Sequence, residues 1–143
     1  MLEASIRDDV PVACDPSAIA KDEHARWLEV GRRLYGAVEE VVDLVDGYRM
    51  RLPPSQIALV GEHMSRDRLC CRFVLWTVVL TQDCGPLWLE ITGPEGTKEV
   101  LRMGFETTDL LPESVASAAG FALSKRVPVE VDDILRMAEQ TTS

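Results

Sequence analysis

This 143-residue chain lacks most of the marks by which a small protein declares its chemistry. It has no Cys-x-x-Cys and no His-x-x-x-His spacing, which removes the common local signatures of zinc and dithiol sites. It has no Walker lysine. The loop Gly93-Pro94-Glu95-Gly96 superficially resembles a phosphate loop, but the nearby Lys98 falls on the following helix. A turn with Pro94 opening that helix accounts for the segment. Long apolar runs are absent too. The longest, Phe73 to Leu80, is interrupted by Thr77 and is far short of the roughly 20 residues a membrane-spanning helix needs. Positive charge is scarce: 15 Lys and Arg against 24 Asp and Glu leave a net charge of −9, which argues against nucleic acid or an anionic membrane as the main partner. The first nine residues carry neither the basic nor the apolar stretch of a secretory signal, so a cytoplasmic protein is expected. There is no internal repeat and no low-complexity linker.

What the chain does have is a pair of adjacent cysteines, Cys70 and Cys71, in the charged segment Arg66-Asp67-Arg68-Leu69-Cys70-Cys71-Arg72-Phe73. Adjacent Cα atoms lie about 3.8 Å apart, less than the roughly 4.4–6.8 Å of an ordinary disulfide, so a bond between these two would be strained. On a regular strand their side chains would point to opposite faces. They share one ion only where the backbone is irregular, at a helix end or a bulge. The plainer reading is one buried thiol and one half-exposed thiol that merely pack. In a reducing compartment all four cysteines are expected as thiols.

Hydrophobic periodicity sketches the fold. Residues 1–14 read as a tail or edge strand. A first helix is expected from Ala18 or Lys21 to about Glu40, with His24, Trp27, Gly31, Leu34, Val38 and Val41 on its inner stripe. Val41–Val45 and Tyr48–Leu52 form a hairpin around Asp46-Gly47. Ser55 opens a second helix to about Asp67, with Ile57, Val60, Gly61 and Met64 facing inward and His63 on a solvated or boundary face. Arg72–Thr81, rich in β-branched and aromatic residues, should be a central strand, and Leu87–Thr92 returns beside it. A helix from Pro94 to about Gly104 follows, then two short helices, Ser114–Lys125 and Asp132–Gln140. This is an α+β protein: a four-stranded antiparallel sheet of two hairpins packed by helices, with a helical C-terminal appendage. Residues 1–106 form the core domain with its N-terminal arm. Residues 107–143 form an extension packing on the core or on a second subunit. The sheet edges need cover, and a homodimer is one way to supply it.

Three groups of residues carry candidate chemistry. Cys14, Cys70 and Cys71, with His24, make a candidate soft-metal site, because thiolates favour Cu(I), Zn(II) or Hg(II). A core or first-turn histidine is the plain alternative for His24, and a packed thiol in the arm for Cys14. Asp67, three residues before Cys70, adds an acid, and thiolates plus an acid are the inventory for cleaving a carbon–metal bond. A solvated charge near a helix end is its plain alternative. Arg68 and Arg72 can lower a neighbouring thiol pKa. Trp27, Trp76 and Trp88 read as core residues, and Cys84 as an exposed thiol in a turn.

The segments Val12-Ala13-Cys14-Asp15, the His24 helix, Asp46-Gly47-Tyr48, Arg68-Leu69-Cys70-Cys71-Arg72-Phe73 and Pro86-Leu87-Trp88-Leu89-Glu90-Ile91-Thr92-Gly93-Pro94-Glu95-Gly96 together resemble a group of small uncharacterised bacterial proteins, some associated with heavy-metal resistance. The resemblance covers roughly residues 10–104. Members read Cys-Cys-Pro-Phe, where this chain has Arg72, and carry Glu where it has Asp67. The resemblance implies thiol or metal chemistry without naming a reaction. The expected function is therefore a small cytoplasmic thiolate protein that binds a soft metal ion or a small thiol-reactive ligand. The alternatives are an enzyme using the Cys70–Cys71 pair for thiol redox or organometallic cleavage, and a non-catalytic dimeric binding module.

Overall fold

A computed structural model describes residues 5–122. Four strands form one antiparallel sheet: β1 (Glu40–Leu44), β2 (Gly47–Leu52), β3 (Leu75–Leu80) and β4 (Leu87–Thr92), in the order β1-β2-β4-β3. Four helices accompany it: α1 (His24–Gly36), α2 (Ile57–Cys70), α3 (Thr97–Thr108) and α4 (Glu113–Ala118). The two-hairpin α+β architecture expected from the sequence is the one observed.

Alternation on β2 and β4 builds the core. Met50 pairs with Leu89 and Tyr48 with Ile91, and these residues, with Leu52 and Leu87, are buried on one face. Leu34 and Tyr35 of α1, Val60 of α2 and Phe105 of α3 complete that layer. Arg49 and Glu90 pair on the opposite face, where they form a 3.1 Å ion pair. Trp88, expected in the core, is half-buried on this outer face opposite Arg51. Trp76 is half-buried at the core and Trp27 is buried.

Several expectations shift. β3 is an edge strand rather than a central one. β4 is sandwiched between β2 and β3, and β3 leaves Val79 and Leu80 exposed. Its β-branched composition reflects one packed face, not two neighbouring strands. The first helix stops at Gly36, and Val41 and Val42 extend into β1. The hairpin register pairs Leu44 with Gly47, so the two turn residues are Val45 and Asp46. Gly47 is needed instead for close approach to β4: a Cβ there would overlap the Ile91 carbonyl oxygen and lie 2.9 Å from Thr92 Cα. The third helix starts three residues after Pro94, because Gly96 takes a left-handed conformation (φ 98°) just before it.

α3 runs through position 106/107, and Leu111, Ala116 and Phe121 join the same buried cluster as the sheet residues. The helix expected at Asp132–Gln140, and the part of Ser114–Lys125 beyond Ala122, lie outside the described residues. Among the described residues, no helix is long and apolar enough to cross a membrane.

Candidate metal centre

The site is assembled where the N-terminal arm crosses the C-terminal end of α2. The helix continues three residues beyond Asp67, so Cys70 is its last residue. Cys71 caps it in a conformation that is neither helix nor strand (φ −111°, ψ 72°). That is the irregular backbone two adjacent thiols need in order to converge. The backbone N–H of Asp15 donates to the Cys70 carbonyl at 2.9 Å, which pins the arm beside the helix end and brings in Cys14. A short 3-10 turn, Pro16–Ala18, follows and buries Ile19 against Trp27 and Cys70, with Cys14 and Cys71 packed on the same small cluster.

The sulfurs of Cys14, Cys70 and Cys71 all lie within 4.8 Å of one another, and Cys14 Sγ is 3.5 Å from Cys71 Sγ. With metal–sulfur bonds near 2.3 Å, three sulfurs around one ion sit about 4 Å apart, so this spacing fits a shared ion after small adjustments. Cys70 is buried, and Cys14 and Cys71 are half-buried. The group can hold a metal ion.

The cluster concentrates its first negative charge on Cys14. Hydrogen bonds from the thiols of Cys70 and then Cys71 outweigh the cost of burial and hold the Cys14 pKa at about 4. Donating to Cys14 pushes Cys70 up, with burial and Asp67 adding to the rise. Cys71 rises for the same reason, then through its contact with Cys70 and through burial.

Two further groups adjoin it. The Trp27 indole N–H donates to Asp67 Oδ1 at 3.1 Å, and His63 Nε2 lies 3.9 Å from Asp67 Oδ2. His63 also lies 2.8 Å from the Tyr35 hydroxyl. It is buried, contrary to the solvated or boundary position expected for it, and burial lowers its pKa despite the opposing pull of Asp67. Val60 and Met64 pack on the core as expected, and the stripe of α2 that leads to the site runs Val60, His63, Asp67 and Cys70, with polar middle members. Ile57, expected inside, is exposed.

His24 is not among the three converging ligands. Its Nε2 lies 3.2 Å from the Pro16 carbonyl oxygen and 3.0 Å from that of Ile19, so the ring ties down the turn preceding α1. Arg68 and Arg72 are exposed, and the causes of the cysteine shifts lie in the neighbouring thiols, burial and Asp67. Cys84 is exposed in the β3–β4 turn.

The three cysteines, Asp67, His63 and Tyr35 line one partly open cavity of about 160 Å³, together with Trp27, Leu28 and Phe73 and, from α3, Leu101 and Phe105. Sequence reasoning missed Tyr35 and His63. Their only signal was their position on the inner stripes of two helices that pack together.

Comparison with protein-family models, with curated proteins and with solved structures found no match to this chain.

Proposed function

We propose that the protein binds one soft metal ion, of the Cu(I), Zn(II) or Hg(II) class, between Cys14, Cys70 and Cys71, and serves in metal handling or resistance in the cytoplasm. The observation that carries this reading is the convergence of three sulfurs, one of them 56 positions from its partner in sequence (Cys14 and Cys70), within 4.8 Å of one another. A packing role does not require the arm to return to the helix end with its thiol aimed at the other two. Soft thiolate donors select these ions over hard ones. Titration of the reduced protein with Cu(I), Zn(II) and Hg(II) under anaerobic conditions tests it. One equivalent should bind tightly, and the double variant Cys70→Ser/Cys71→Ser should lose that binding. Equal affinity in the two proteins sinks the reading.

A second reading, an enzyme that uses these thiols in redox exchange or in organometallic cleavage, is favoured by one specific observation. Asp67 stands on the wall of the same cavity as the sulfurs. Under this reading the Asp67 carboxyl group gives a proton to the carbon that leaves a thiolate-bound metal. Under this reading Asp67→Asn retains ion binding but stops hydrocarbon release from an organometallic compound.

A further inference from the structure

A bare ion held by three sulfurs needs no room beyond its own coordination sphere, yet the sulfurs open onto a cavity of about 160 Å³. Its walls are largely hydrocarbon: Leu28 and Trp27 from α1, Phe73 after α2, and Leu101 and Phe105 from α3. The polar groups on the wall are turned to one another. Tyr35 is bonded to His63 at 2.8 Å, Asp67 to the Trp27 indole at 3.1 Å, and the Thr108 hydroxyl donates to the Gly104 carbonyl at 2.7 Å. The buried His63 Nδ1 has no partner, and it faces Gly31 on the same wall. The cavity therefore offers a ligand sulfur and a mostly apolar surface, with the unpartnered His63 Nδ1 and the Asp67 carboxyl group as the polar exceptions.

We propose that the ligand of this site is a soft-metal cation carrying one apolar organic group of about phenyl size. The metal sits on the sulfurs and the organic group fills the cavity. The inference rests on the three-sulfur reading above and adds the ligand class. Size sets the group: an apolar protein cavity of about 150 Å³ accepts a benzene ring. Binding forms a metal–sulfur bond within the three-cysteine cluster and releases to solvent the ligand the metal carried, together with the proton of any thiol that becomes a ligand. The carbon–metal bond stays intact and no electrons are transferred.

The test uses the full-length reduced protein, titrated with phenylmercury(II), methylmercury(II) and Hg(II), each in competition with glutathione so that intrinsic mercury–sulfur strength cancels. Phenylmercury should bind at least ~10-fold more tightly than methylmercury, the gain expected from burying the larger apolar surface. Leu28→Trp, which fills the cavity, should bring that ratio close to one while leaving Hg(II) affinity unchanged. Retained Hg(II) affinity also shows that the variant folds, and if it does not fold, Leu101→Trp replaces it. A ratio near one in the wild type overturns the inference, and so does a preference that survives cavity filling. Failure of the underlying reading is separate: Hg(II) would then bind the wild type no better than Cys70→Ser/Cys71→Ser.

Discussion

The charge distribution among the three sulfurs makes a sharp prediction. Two thiol donors stabilise Cys14 as a thiolate and bring its pKa from the ordinary 9.0 to about 4. At pH 7 that favours the thiolate of Cys14, whereas an ordinary cysteine is only a few per cent ionised. Cys70→Ala removes the stronger of the two hydrogen-bonding neighbours, so Cys14 should titrate at a clearly higher pH in that variant. The assay is ultraviolet thiolate absorbance of the metal-free protein against pH, with each cysteine assigned by alkylation and mass spectrometry. The midpoint is the proper readout, because a low-pKa thiolate is intrinsically less nucleophilic and its absolute rate misleads. Stability should follow. Since the folded pKa of Cys14 lies below its unfolded value, its contribution is full above about pH 9, shrinks as pH falls from 9 towards 4, and is gone below 4. Cys70 and Cys71 are shifted upward, so their linkage has the opposite sign and lowers stability as pH rises beyond 9. Reduced apo protein should therefore gain stability between pH 4 and 9 from its sulfurs. A Cys14 midpoint near 9 in the wild type, or one indifferent to Cys70→Ala, refutes the reasoning.

Other expectations concern the scaffold. Gly47→Ala drives a Cβ into the Ile91 carbonyl and should cost about 3 kcal/mol or more in denaturant unfolding by prising β2 from β4; a loss below ~1 kcal/mol would show that the strands yield. Leu89→Ala opens a void at the fully buried centre of the sheet and should cost ~2–5 kcal/mol by the same measurement. On the surface, Arg26, hydrogen-bonded at 2.6 Å and 2.7 Å, is the main cause holding the Glu62 pKa at about 2. Its small stabilising effect should be present above about pH 4.5 and fade as pH falls towards 2, and NMR titration should find the Glu62 midpoint moved back up in Arg26→Ala.

The sheet was legible because its signals are local. Alternation in Tyr48–Leu52 and the run Leu87–Thr92 mark half-buried strands whatever else the chain does. Strand order was not legible. An edge strand with one packed face, such as β3, has the same composition as a central one. Position 47 misled because glycine after aspartate signals a turn, while here it serves the approach of two backbones. At the site, Cys70 and Cys71 were visible as a pair. What joined Cys14 to them is a backbone hydrogen bond from Asp15 to Cys70, which no spacing encodes. His63 was misplaced because a polar residue scores as solvent-facing until its partner, Tyr35 on another helix, is known. His24 showed the converse: a histidine on an apolar stripe that bonds backbone carbonyls rather than joining the sulfurs.

The most direct check of the three-sulfur account is X-ray absorption spectroscopy at the metal edge of the one-to-one Hg(II) complex of the reduced protein, read alongside Cys14→Ser. Three sulfur neighbours in the wild type, falling to two in Cys14→Ser, are predicted. A first shell with at most one sulfur, or one unchanged by Cys14→Ser, contradicts it.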